Sequence, residues 1–357
     1  MTSQASKSDF HPLALAAARR YRKASKLAGE RSLWPLRMSV ALNVFLWHLD
    51  GFAQDGDPVP PFAERFNSAA DLLESAVSSG LVLGQFPALP PESSGQEELE
   101  EQVSGLFGEV WLAMTDDVYF DESYHFTQER LHKNGIEPGE LFGGKTVLDA
   151  GCGSGKFSAA IAKFGAAKVI GLDLSEKGLE FARGQAGKVA YGDRLEYIAG
   201  SLLDIPLPDR SVDMVWSNGV VHHTADYEKC IAEFARVIKK AGTLFLYVNG
   251  RFGLFELLLD TIRLANQDIP RQLFQHFLGT LGMNSGRQYW VMDCMYAPYE
   301  WKAKDEVAAL LRRHGFADLR QLTRGVAIDQ IEQVSQGLNY AEVKYGEAQL
   351  KFLATRV

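Results

Sequence analysis

Residues 147–158, VLDAGCGSGKFS, constrain the fold more than any other stretch of this 357-residue chain. An apolar run suited to a strand reaches Asp149, glycines follow at 151, 153 and 155, and a helix-period segment begins. Glycine lacks a Cβ and tolerates positive φ, so the chain can turn sharply and leave bare backbone open to a ligand. The helix behind the loop adds unpaired N–H groups and a partial positive charge. Strand, glycine turn and helix in that order are the first half of a βαβ unit, which predicts a parallel sheet.

The pattern continues downstream. From Lys145 the short runs KTVLDA, AKVIGLD, RLEYIAG, SVDMVWS and TLFLYVN read as strands. Between them FSAAIAKF, EKGLEFARGQ and DYEKCIAEFARVIKK carry the helical period, the second behind Ser175 as N-cap. Lys239 and Lys240 then read as a solvated helix end, well placed for the dipole. After residue 250 come about 50 aromatic-rich, helical residues, then a helix DEVAALLRRHG, the segment FADLRQLT and a final strand QLKFLATRV. Upstream, residues 1 to 90 show helical spacing through WPLRMSVALNVFLWHL and FAERFNSAADLLESAVSSGLVLG, with DGDPVPP as a loop between them. ALPPESSGQEELEE reads as a connector, and the boundary falls near residue 105.

Composition narrows the partners. The formal charge is -8, from 37 basic and 45 acidic residues, and no long basic run offers a track for phosphates, so nucleic acid is disfavoured. Cys152, Cys230 and Cys294 form no CxxC pair, which points to a reducing cytoplasm. The N-terminus MTSQASKSDFHPLALAAARRYRK lacks the order of a signal peptide. No run approaches the roughly 20 apolar residues of a membrane span, so no membrane partner is expected.

On the loop alone the ligand could be a dinucleotide. That reading needs G-x-G-x-x-G, and counting from Gly151 the sixth position is Lys156, where close helix packing calls for Gly or Ala. The second strand ends in Asp173, suited to accept from both ribose hydroxyls of either cofactor. The set VLDAGCGSGKFS, VIGLDLS, GSLLDIPLPDRSVDMVWSNGVVHH and EFARVIKKAGTLFLYV resembles the class I S-adenosylmethionine (SAM)-dependent methyltransferase family, in order and spacing, over about residues 140 to 250. The resemblance implies a Rossmann-like α/β fold: a mostly parallel seven-stranded sheet flanked by helices, here with an N-terminal helical region and a helical cap insert. It implies SAM as cofactor, S-adenosylhomocysteine as product, and no metal. By position it implies that Asp149, Gly151, Gly153 and Gly155 face the methionine portion. Asp173 would hold the ribose, Leu174 would join the cofactor site, Ser201 and Leu202 would border the adenine, and Asn218 would lie beside the amino group or sulfonium. The family often has Asp where Ser201 follows Gly200; the hydroxyl can still accept from the adenine amino group.

The expected division is 1–105, a helical lid or packing region; 106–250, the SAM-binding core; 251–300, a cap insert for substrate recognition; and 301–357, the rest of the core sheet. His222 and His223 follow the fourth strand, where side chains reach the cleft; His223 is the candidate base and His222 a candidate substrate contact. The plainer reading is that many members of the family that this chain resembles carry a similar HH without using it as a base. No third ligand accompanies them, so no metal site is expected. RQYWVMDCMYAPYEW, residues 287–301, offers aromatic walls for a small molecule, with Asp293 and Tyr296 as candidate contacts. Phe120, Tyr124 and Phe126 could cover the cofactor, and Tyr124 is also a candidate substrate contact; all three read equally well as plain core. Cys152, inside the loop, reads as structural. Ser217-Asn218-Gly219-Val220 stands where base-amine methyltransferases resembling this fold carry an NPPY-like tetrad, and no Pro-Cys context suits cytosine C5. The expected activity is methyl transfer to a small-molecule acceptor, a metabolite or natural-product intermediate, at O, N or C. A protein side chain or terminus is the alternative acceptor, and a NAD-dependent oxidoreductase the alternative class. The oligomeric state stays open, with a homodimer among the options.

Overall fold

The computed structural model describes residues 10–83, 115–283 and 285–357; the expected boundary near 105 and the connector at 88–101 lie outside them. In chain order the helices before the sheet are α1 (Pro12–Leu27), α2 (Trp34–Phe52), α3 (Val59–Ser78), α4 (Ser123–His132) and α5 (Pro138–Phe142). Then follow β1 (Thr146–Ala150), α6 (Lys156–Lys163), β2 (Lys168–Asp173), α7 (Glu176–Ala186), β3 (Leu195–Ala199), β4 (Val212–Asn218), α8 (Tyr227–Val237) and β5 (Ile238–Asn249). After these come α9 (Leu254–Asn266), α10 (Arg271–Thr280), α11 (Ser285–Tyr296), α12 (Lys304–Arg313), β6 (Phe316–Gln321), α13 (Gln330–Ser335), α14 (Ala341–Tyr345) and β7 (Gln349–Arg356).

The strands form one sheet in the order β3-β2-β1-β4-β5-β7-β6. β1 to β5 pair in parallel, while β7 runs antiparallel to both β5 and β6. An antiparallel strand between β5 and the edge departs from the all-parallel 3-2-1-4-5-6 order of dinucleotide-binding sheets. Successive residues of β1 face opposite layers. Val147 joins Val169, Met214 and Trp216 against Leu131, Phe142 and Ile161, whereas Leu148 joins Ile170 and Val215 against Ile231, Phe234 and Leu311. Burial on both faces explains why these strands read as unbroken apolar runs. Each fully buried side chain of this size contributes about 1.5–3 kcal/mol. The order turns outward between β1 and β4, which opens a crevice above their C-terminal ends.

Two local expectations are corrected. Lys239 and Lys240 lie on β5, not at a helix end: Arg210 and Ser211 donate their N–H groups to the carbonyls of Arg236 and Val237, and the chain turns extended at Ile238. Lys239 instead pairs with Asp213 on β4 at 2.7 Å. The break at 55–61 is shorter than read, because α3 opens at Val59 and takes prolines into its first turn, where a missing N–H costs nothing.

Backbone contacts divide the chain into two units. The described residues of the sheet unit fall within Ser94–Gly250, Ala297–Ser335 and Gln349–Val357, and those of the helical unit within Met1–Ser93, Arg251–Tyr296 and Gln336–Ala348. In the helical unit Tyr21 meets Phe66 at 5.2 Å. His48 sits 4.6 Å from Phe62 and 5.0 Å from Phe66, and burial pulls it down to about 4, so it stays neutral. The buried Arg37 guanidinium donates to Ser25 Oγ, to the Ala265 carbonyl and to Asp268, tying α2 to the end of α9. Among the described residues no helix is long and apolar enough to cross a membrane.

Candidate functional site

The glycine loop is built as its sequence requires. Gly151, Gly153 and Gly155 take φ of +79°, +55° and +80°, values that L side chains resist. The N–H groups of Gly151 and Cys152 donate to the Leu172 carbonyl at 2.8 and 3.0 Å, which pins the turn to β2. Space is as limiting as dihedral angle. A Cβ on Gly151 would stand 2.5 Å from Val220 Cγ1, and one on Gly155 would stand 2.6 Å from Tyr197 Oη and 2.9 Å from Tyr119 Oη.

Two carboxylates flank the loop. Asp149, on β1, accepts from Ser158 Oγ at 2.6 Å; burial pushes its carboxyl up to about 7, against the pull of that hydrogen bond. Asp173 closes β2: Oδ2 accepts from the Gly153 N–H at 2.8 Å and Oδ1 from the Ser175 N–H at 2.9 Å. Burial raises its carboxyl, and the backbone bonds oppose the rise. Each oxygen has taken one donor and keeps acceptor capacity, so a pair of neighbouring hydroxyls fits this edge. A narrow turn with three positions free of Cβ, a buried acid and a diol acceptor together suit an adenosyl cofactor with an amino-acid tail. Leu174 is exposed, Ser201 is half-buried with Oγ accepting from the Leu203 N–H, and Asn218 is half-buried at the end of β4. The Leu202 side chain packs in the core with Ile205 and Val221.

His222 and His223 lie beyond β4, both nearly buried. His223 Nδ1 is 2.8 Å from the Pro298 carbonyl, and the Glu300 N–H donates to the His222 carbonyl at 2.8 Å. Asn249 Nδ2 lies 3.5 Å from His222 Nε2. Both imidazoles pack on Tyr299, at 5.0 and 4.3 Å, and Tyr299 stacks on Trp301. Asp293 and Tyr296 sit on α11 of the helical unit, each half-buried. Tyr124 stacks on Phe164, past the C-terminal end of α6. That position is about 12 Å of helix away from the glycine loop. Tyr119, five residues earlier, does reach the loop, as does Tyr197 of β3. Neither was singled out in the sequence; the aromatic run around Phe120 was the available signal for Tyr119. Among the described residues no group of three His, Cys, Asp or Glu side chains is set to hold a metal ion.

Residues 148–246 match the family described as methyltransferase domain. Malonyl-[acyl-carrier protein] O-methyltransferase of Yersinia pestis is 34% identical over 161 residues, 44% of this chain and 57% of that protein. The 27-O-demethylrifamycin SV methyltransferase of Amycolatopsis mediterranei is 35% identical over 146 residues, 40% of this chain and 53% of that protein. The chain thus spans little more than half the length of these curated relatives. Among solved structures, the S-adenosylmethionine dependent methyltransferase of Mesorhizobium loti is 21% identical, with 60% of this chain and 93% of that one covered and a TM-score of 0.41.

Proposed function

We propose, from the match of residues 148–246 to the methyltransferase domain family, that the whole chain transfers a methyl group from SAM to a small-molecule acceptor. The observation that carries the reading is the loop between two carboxylates above the β1/β4 crevice. When bound, SAM would supply a sulfonium methyl group open to direct displacement by the acceptor atom. Asp149 and the backbone of Gly151 and Gly153 hold the methionine portion, and Asp173 takes the ribose hydroxyls. Leu174, Ser201 and the backbone of Leu202 border the adenine, and Asn218 lies at the methionine end. Tyr119 and Tyr197 brace Gly155 and keep the turn narrow.

His223 is assigned the acceptor's proton. Its Nδ1 faces a carbonyl and therefore donates, which puts the basic lone pair on Nε2. The relatives named for malonyl-[acyl-carrier protein] O-methyl transfer, for 27-O-demethylrifamycin SV and for sterol 24-C-methyl transfer support a small-molecule acceptor methylated at oxygen or carbon. Acceptor selection is assigned to the helical unit through Asp293 and Tyr296. Cys152, Cys230 and Cys294 are buried and outside any disulfide, which supports a reducing cytoplasm.

The reading is tested by incubating the protein with methyl-labelled SAM and low-molecular-weight extract fractions. Label should pass to a small molecule with matching formation of S-adenosylhomocysteine. Replacing His223 by Gln should lower kcat about 100-fold at unchanged SAM affinity, and Tyr296→Phe should raise the acceptor's KM. Label found only on protein, or a His223→Gln enzyme of full rate, contradicts the reading.

A further inference from the structure

The sheet unit buries a second polar cluster that the methyl-transfer reading does not use. Asp329 accepts from Arg130 Nε and Nη2 at 2.8 and 2.7 Å and from Lys351 Nζ at 2.8 Å. Lys351, on β7, is 3% exposed, and its ammonium lies 5.5 Å from the Tyr247 ring centre. Two cations share one carboxylate, so one positive charge has no counter-charge within this group.

Beside the group is a small cavity, lined among others by Arg130, Lys351, Thr127, Trp216 and Asn218. The cavity volume is ≈ 10 Å³, room for one small body. Trp216 is 3% exposed, and its Nε1–H has no acceptor among the described residues. Indole, guanidinium and ammonium donate and cannot accept. A buried N–H without a partner costs about 1–3 kcal/mol. The other polar lining groups, Thr127, Asn134 and Asn218, can donate as well as accept, so a space beside two buried cations and an unpaired indole N–H favours an anion over a metal ion.

We propose that this cavity binds one small monovalent anion, either a free halide or one end of a ligand's carboxylate, held by Arg130, Lys351 and the Trp216 indole N–H. Burial holds Lys351 down to about 8, as expected of an ammonium whose counter-charge is incomplete. An anion in the cavity would restore Lys351 toward its ordinary range and give the indole its acceptor. Asn218, which the methyl-transfer reading places at the methionine end of SAM, also lines this cavity, so the carboxylate source rests on that reading and the free-ion source does not.

The test compares the whole protein in sodium bromide and in sodium gluconate at equal ionic strength, gluconate being too bulky to enter. The Tm should be higher by several degrees in bromide, and Trp216→Phe and Arg130→Gln should each erase the difference. Crystals of the unaltered protein grown in bromide should show an anomalous peak within hydrogen-bond distance of Trp216 Nε1, a readout that no variant's folding can disturb. Adding S-adenosylhomocysteine then separates the sources: loss of the peak assigns the site to that ligand's carboxylate, and persistence assigns it to a free ion. Equal Tm values together with a cavity holding only water overturn the proposal.

Discussion

Replacing Gly151 by alanine separates the two reasons for glycine in the loop. At φ +79° an alanine sits in the left-handed region, at a cost of about 1–2 kcal/mol. Its Cβ would also stand 2.5 and 2.6 Å from the two methyl carbons of Val220, an overlap worth about 1–3 kcal/mol. The sum is about 2–5 kcal/mol. Gly219 supplies the control: its φ is also +79°, but the nearest atom to a Cβ there is Tyr247 Cε1 at an ordinary 3.4 Å. Gly219→Ala should therefore cost only the dihedral part. In calorimetry, at about 2–4 °C per kcal/mol for a domain of this size, Gly151→Ala should melt several degrees below Gly219→Ala. Adding Val220→Ala to Gly151→Ala should recover the overlap portion once the cost of Val220→Ala alone is subtracted. Equal losses at the two glycines, or no recovery in the double variant, would refute the steric argument.

Other predictions follow from the charges. With its carboxyl raised to about 7, folded Asp149 holds its proton more tightly than the unfolded chain does. Its stabilising contribution is present below the ordinary carboxylate range and is lost as pH rises through about 7. The methionine amino group of SAM prefers the ionised form, so SAM affinity should climb about tenfold between about pH 6 and about pH 8 in titration calorimetry. Asp149→Asn should flatten this profile, and a flat profile in the unaltered protein would count against the assignment. Asp329→Asn leaves Arg130 and the buried Lys351 without their carboxylate; urea unfolding should show a loss of about 3–5 kcal/mol. A loss below 1 kcal/mol would mean that water already screens the cluster.

Much of the sheet is legible because its signals are local. Glycines at 151, 153 and 155 mark a turn wherever they occur, and the β-branched run of KVIGLD needs no distant partner to be read as a strand. Lys239 and Lys240 show where locality fails. The helical period continues through them, but Arg210 and Ser211 take the carbonyls on which α8 ends, and residues more than 25 positions away decide the break. Tyr119 and Tyr197 converge on Gly155 from two separate elements, a closeness that only the assembled helices and β3 create. Arg130 and Asp329, 199 positions apart, meet for the same reason. Position by resemblance also cannot tell side chain from backbone: Leu202 reads as an adenine neighbour, while its side chain is spent on the core.

The central claim rests on Asp173 receiving the ribose of SAM. Titration calorimetry of the purified chain with SAM and S-adenosylhomocysteine, with NAD as control, tests it directly. Both adenosyl ligands should bind saturably and NAD should not. Asp173→Asn should weaken both by about 10- to 100-fold, the loss of charge-assisted hydrogen bonds worth about 1.5–3 kcal/mol. Binding of NAD in preference to SAM, or SAM affinity indifferent to Asp173→Asn in a protein that still melts normally, would contradict the account.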